Sequence, residues 1–167
     1  MTKYPYEPPE GYKFVELQNP FMIEAMKAAK EAYESGFNKS APIGLVLEKD
    51  GKILVKTVAG SDYHKLYGCE RRKLGIVNEE YEKCPGCSYK VHSEQKAVKI
   101  ARENNIDIHG ANAFLFGHFW YCDRCCETLR KNGVTNFYLL KDADILFDRE
   151  KPTCKRFDFA YFESKLK

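Results

Sequence analysis

Apolar residues follow two different rhythms along this chain. From Asn19-Pro20 onward, Met22, Met26, Ala29 and Tyr33 recur at i, i+4, i+7 and i+11, the spacing of one helix face. Asn can cap such a helix, Pro suits its first position, and Ser35-Gly36 closes it. Two short apolar runs, 43–47 and 52–58, are joined by Asp50-Gly51 and predict a β-hairpin. Helical spacing returns over 92–104, where Glu94, Ala97, Val98 and Ala101 form a stripe. A buried strand is predicted at 112–116. A second helix follows over 122–131, with the stripe Cys122, Cys125, Cys126 and Leu129, stopped by Asn132-Gly133. Residues 134–140 predict another strand, 144–147 a short one, and 157–166 a terminal helix. Residues 1–18, rich in Pro and Tyr, predict an irregular lead-in. Helices interleaved with strands in this order predict a mixed α/β layer arrangement.

Residues 59–91 keep neither rhythm. They are polar, with Gly60, Gly68, Gly75, Pro85, Gly86 and three cysteines. A loop that long inside a compact domain needs a staple or has a function. The 167 residues predict one domain over 1–167, able to bury roughly 70% of the extended-chain surface. No apolar run reaches the roughly 20 residues of a membrane span. The opening MTKYPYEPPEGYK lacks the apolar stretch of a secretory signal. A cytoplasmic protein is therefore expected. Net charge is +3, from 27 basic and 24 acidic residues, too balanced to argue for nucleic acid by itself.

Seven cysteines are the abnormal count. An odd number on a chain with no export signal points away from a disulfide framework and toward metal or catalytic thiolates. His92-Ser93-Glu94 and Cys122-Asp123-Arg124-Cys125 each open a predicted helix, with a strand between them. His92, Cys122 and Cys125 make a three-donor zinc set that leaves a position for water, as catalytic zinc requires. The helix N-termini help to keep the thiolates deprotonated. Glu94, two residues past His92, is placed to carry protons without ligating the metal. The competing reading is a closed structural knot, which needs a fourth donor, and Cys126 or His118 could supply one.

A second set lies in the polar loop. Cys84-Pro85-Gly86-Cys87 is a knuckle-like turn, with Cys69 and His64 upstream. His64, Cys69, Cys84 and Cys87 would close a four-ligand structural zinc site and tie down a segment that has little apolar area of its own. The bland alternative is a turn with two reduced thiols. Cys126 reads as a small core residue and Cys154 as an unpaired thiol.

His-x-Glu followed by Cys-x-x-Cys is the zinc-deaminase pattern. With Gly68-Cys69-Glu70-Arg71-Arg72-Lys73-Leu74-Gly75-Ile76, Tyr81-Glu82-Lys83-Cys84 and the hairpin at 42–51, the chain resembles the cytidine and deoxycytidylate deaminase superfamily, closest to its dCMP deaminase branch. The resemblance covers roughly residues 20–140. It implies a three-layer α/β fold, a five-stranded mixed sheet flanked by helices, and a homo-oligomer. The family pattern departs at Tyr121, where relatives carry Pro. It departs again at Thr57-Val58-Ala59-Gly60, where the sugar-binding Asn of relatives is replaced by Ala59.

The resemblance implies a zinc-dependent hydrolytic deaminase of a small cytosine nucleotide, dCMP foremost. Arg71 and Arg72 are candidates for the phosphate, since Arg suits bidentate recognition. Ser61, Asp62 or Tyr63 could replace the missing Asn, and His118 and Trp120 could contact the base, although aromatic runs also build cores and interfaces. One rival keeps the chemistry and takes a base from single-stranded DNA or RNA. It is favoured by the missing Asn and opposed by the balanced charge. A non-catalytic zinc scaffold is the other rival, which the retention of Glu94 opposes.

Overall fold

The computed structural model describes residues 12–77 and 79–167; the rest of the predicted lead-in, 1–11, lies outside them. Strand β1 (Tyr12–Val15) precedes helix α1 (Pro20–Glu34). Asn19 Oδ1 accepts from the amides of Phe21 and Met22 at 3.0 and 3.1 Å, which satisfies two of the donors a helix start leaves unpaired. The hairpin β2 (Gly44–Lys49) and β3 (Lys52–Val58) follows, its turn formed by Asp50 and Gly51, both at positive φ. Short helices α2 (Tyr63–Tyr67) and α3 (Glu70–Lys73) come next. Then come α4 (Ser93–Glu103), β4 (Asn112–Phe116), α5 (Asp123–Lys131) and β5 (Asn136–Leu140). The chain finishes with α6 (Ala143–Phe147) and α7 (Phe159–Lys165).

The fold is α/β, a mixed five-stranded sheet flanked by helices, as the sequence leads one to expect. Strand order is β1-β5-β4-β2-β3. β2 runs antiparallel to β3 and to β4, whereas β4–β5 and β5–β1 are parallel. Leu45, Val46 and Leu47 of the interior strand β2 are fully buried. Helix α1 packs on β2, β3 and β4; α4 packs on β2 and β3, with α5 beside it. The stripe of α4 faces inward as predicted, with Glu94, Ala97, Val98 and Ala101 all buried. No helix among the described residues is long and apolar enough to cross a membrane.

Three local expectations are corrected. Residues 12–15 are not irregular: they add a parallel edge strand to β5, with Tyr12 opposite Phe137 and Val15 opposite Leu140. Residues 144–147 are not a strand but most of α6, because Ala143 and Phe147, four apart, turn together into the core. Residues 59–91 are not a plain loop, since they hold α2, α3 and two single 3₁₀ turns. Among the apolar residues of that segment only Ala59 and Cys84 are buried.

Candidate metal centre and cleft

The two helix starts named by the sequence meet. His92 is the N-cap of α4 and Cys122 the N-cap of α5. His92 Nδ1 lies 3.2 Å from Cys125 Sγ and 3.6 Å from Cys122 Sγ, and the two sulfurs are 2.6 Å apart. Cys122 Sγ also accepts the Cys125 amide at 3.3 Å. A hydrogen bond from the Cys125 thiol, reinforced by that amide and by His92, pulls the Cys122 thiol down to about 5. Cys122 is thus a thiolate at neutral pH, and its proton-sharing partner Cys125 is pushed upward. Two thiols and an imidazole crowded this closely fit a thiophilic cation of borderline softness such as Zn²⁺, which replaces the shared protons.

The number of donors separates two kinds of site. His92, Cys122 and Cys125 stand as a group of three; neither Cys126 nor His118 joins them among the described residues. His64, Cys69, Cys84 and Cys87 stand as a group of four. In the second group His64 Nε2 is 3.3 Å from Cys84 Sγ and 3.4 Å from Cys87 Sγ, and Cys69 Sγ is 3.5 Å from Cys87 Sγ. All four residues fit a closed tetrahedral zinc site, and the three fit an open one. Helix α2 supplies His64, the N-cap of α3 supplies Cys69, and the Cys-Pro-Gly-Cys turn brings the other two.

Gly86 makes room for that closure. A Cβ there would sit 2.6 Å from His64 Cδ2 and 2.7 Å from Nε2, so the ring would have to leave its place. Gly86→Ala is expected to weaken metal retention in the four-donor group by about 10–100-fold, the scale of a disturbed ligand orientation. The three-donor group should keep its metal. Elemental analysis after graded chelation reads this directly; equal retention by variant and parent would show that His64 is not a ligand.

Glu94 is 6% exposed and stands outside the three-donor group. Burial raises its carboxyl above the usual range, and the Cys122 thiolate adds to the rise. Ser93 Oγ donates to Glu94 Oε2 at 3.2 Å. The position is anchored from β3: Thr57 Oγ1 donates to Ser93 O at 2.8 Å. Lys96 Nζ donates to Val58 O at 2.7 Å and to Gly60 O at 2.9 Å. Ala59 is held through its carbonyl by Asn38 Nδ2 at 2.9 Å. Asn38 is invisible to motif reasoning, since nothing in its neighbourhood marks it.

Glu94 and His92 open onto a cleft of about 1980 Å³ that is also lined by Ser61, Arg71, Arg72, His118 and Trp120. That volume exceeds the roughly 300–1,000 Å³ of an ordinary small-ligand site. Arg71 is not free in it. The side chain is buried, Nε donates to Glu79 O at 2.8 Å, and the guanidinium stacks 4.0 Å over Tyr81. Its charge also faces Cys87. These contacts tie Arg71, an expected phosphate contact, to the second cysteine group, while it still lines the cleft. Arg72 is exposed on the cleft.

The aromatic run divides. Tyr121 is 2% exposed, and its hydroxyl lies 2.9 Å from Tyr138 O and 3.2 Å from Ala113 O, acceptors on β5 and β4. Its amide donates to Tyr12 Oη at 3.1 Å, and the two rings meet edge-on at 5.3 Å. Tyr121 is therefore core, and it also secures β1. Phe119 and Trp120 instead line the cleft, with Trp120 edge-on to His118 at 4.2 Å. Gly117 permits this departure from β4: its φ is +100°, and a Cβ would strike the Pro42 carbonyl. His118 Nδ1 accepts the Phe119 amide at 2.9 Å, so the neutral ring carries its proton on Nε2. Burial and the nearby Arg156, His92 and Arg149 push the imidazole down to about 3, so it stays neutral at physiological pH.

No family model matches the chain, and no curated protein aligns with it significantly. Solved structures do share its shape remotely. One, from work on A-to-I editing by tRNA:A34 deaminases, is 21% identical over 72% of this chain and 75% of its own, with a TM-score of 0.44. The dCMP deaminase of cyanophage S-TIM5 is 22% identical over 72% of this chain and 86% of its own, with a TM-score of 0.45. A diaminohydroxyphosphoribosylaminopyrimidine deaminase/5-amino-6-(5-phosphoribosylamino)uracil reductase of Thermotoga maritima is 17% identical, with a TM-score of 0.39. It covers 87% of this chain but only 41% of its own.

Proposed function

We propose that this protein is a zinc-dependent hydrolytic deaminase of a cytosine nucleotide, with dCMP the preferred substrate. One observation carries the proposal: an open three-donor group and a closed four-donor group coexist in one chain, and among the described residues a buried carboxylate stands beside the open one and not beside the closed one. A purely structural metal has no use for Glu94. When bound at His92, Cys122 and Cys125, zinc supplies the Lewis acidity that makes water nucleophilic near neutral pH.

The chain's own residues supply the rest. Glu94 takes a proton from the attacking water and delivers it to N3 of the pyrimidine as oxygen adds at C4. It then passes the second proton to the departing N4 amine, so that cytosine and water become uracil and ammonia. A carboxyl whose affinity for protons is raised by burial suits both halves of that task. His118, neutral with a proton on Nε2, offers a donor beside the cleft, and Trp120 offers an aromatic edge or face to the base. Arg72 is one cation available to the phosphate, and Ser61 a hydroxyl available to the sugar. The closed group at 64–87 is read as a second, structural zinc site, and the working form as a homo-oligomer in the cytoplasm.

Ammonia release tests this across cytosine, cytidine, deoxycytidine, dCMP, dCTP, adenosine and a cytosine-containing single strand. The expected result is dCMP turned over at least about tenfold more efficiently than deoxycytidine, roughly 1.4 kcal/mol of phosphate binding. Should the single strand outrun every monomer, the substrate is a polynucleotide. Release from none of the cytosine compounds would overturn the proposal.

A further inference from the structure

Two arginines are buried among the described residues, and they differ in one respect. Arg71 is satisfied, through Glu79 O and the ring of Tyr81. Arg156 is 7% exposed, yet its Nε has no hydrogen-bond partner. It lines the cleft together with His118, Phe147 and Arg149. Asp144 of α6, which also lines the cleft, is already paired with Lys151 at 3.2 Å. Arg149 donates to Ser40 O at 3.1 Å, which pins this segment against the residues after α1.

We propose that Arg156 forms the floor of an anion subsite that receives the phosphate of the nucleotide. A buried guanidinium whose Nε lacks a partner is unfavourable unless something completes it. Its planar fork matches two phosphate oxygens, and a third contact can come from Arg149 at the rim. Burial, with the charge of Arg149, pulls Arg156 down only to about 10, so it is a cation at neutral pH. Asp148 and Glu150 line the same cleft, but no carboxylate among the described residues forms an ion pair with either arginine. The identity of the ligand rests on the cytosine-nucleotide proposal; the subsite itself can be tested without turnover.

The test is thermal melting of the zinc-loaded full chain with inorganic phosphate, against chloride at matched ionic strength. Phosphate should raise the melting temperature of the parent. Arg156→Met should melt higher than the parent without ligand, because an unpaired buried charge is gone, and should need at least about tenfold more phosphate for the same protection. Arg156→Lys, which keeps the charge and loses the fork, should fall between them, and it keeps the test decisive if the Met variant does not fold. The dCMP-to-deoxycytidine ratio of kcat/KM should collapse in the same order. Phosphate protection undiminished in both variants would overturn the subsite, as would a Met variant that melts lower than the parent with its protection intact. Protection that depends on Arg156, in a protein that releases ammonia from no cytosine compound, would sustain the subsite and sink the deaminase proposal alone. Normal dCMP turnover with no such dependence would do the reverse.

Discussion

Glu94→Gln is expected to lower kcat by about 10²–10⁴-fold while the protein keeps its fold and its metal. Glutamine has nearly the same shape and can still meet Ser93 Oγ, which lies 3.2 Å from the carboxylate, so the start of α4 should not move. The side chain is not in the three-donor group, so metal content should hold. What glutamine cannot do is accept a proton from water and hand it on. At 6% exposure, bulk solvent has little access to take over that transfer. Pre-steady-state kinetics with dCMP would read the loss in the chemical step, and elemental analysis would confirm the zinc. Turnover within threefold of the parent would remove Glu94 from the mechanism. Loss of zinc together with unfolding would make it a structural residue instead.

Much of this site is legible in residue types alone, because ligand chemistry is local and rare. Three donors at two predicted helix starts and four more in one polar loop can be counted along the chain, and both groups assemble as counted. The helix stripes are legible for a related reason: a 3.6-residue period is repeated often enough over 92–104 to stand above chance. What stays hidden depends on partners distant in sequence. The edge strand Tyr12–Val15 is defined by β5, more than a hundred residues away. Its burial is half and half, intermediate at both ends and exposed between, so no alternation marks it. Residues 144–147 are too few to separate a helical turn from a strand. Arg156 sits in a stretch of charges, Asp-Arg-Glu-Lys-Pro-Thr-Cys-Lys-Arg, that looks like a wet surface. Only the packing of α6 and α7 reveals which charge is inside.

The same division between core and appendage sets what happens when the metals are removed. The purified protein should carry two zinc ions per chain, and Cys87→Ser should carry one. The sheet core is not expected to depend on the second metal: Leu45, Val46, Leu47, Leu115, Phe116 and Leu139, each 0–1% exposed, belong to strands β2, β4 and β5. That segment, by contrast, leaves Leu66, Tyr67, Leu74, Val77 and Tyr81 exposed, so it has almost no apolar burial to hold it once the ligands separate. Structural zinc commonly supplies about 10–16 kcal/mol of apparent binding free energy that becomes folding free energy. Its loss should therefore melt the segment locally and leave the domain folded, a low-energy opening rather than a global one. Limited trypsin digestion should show this as cleavage at Lys65, Arg72 and Lys73, accelerated at least about tenfold in Cys87→Ser, while hydrogen exchange in β2, β4 and β5 stays slow. Catalysis should fall too, though less than in Glu94→Gln, because Ser61, Arg72 and Tyr81 border the cleft and would lose their positions. Cys125→Ser should behave in the opposite way: activity gone first, trypsin resistance of 59–91 retained. One zinc per chain in the parent, or a single cooperative unfolding of the whole domain on loss of the second metal, would show that the four cysteine and histidine donors at 64–87 are packed together for some reason other than metal.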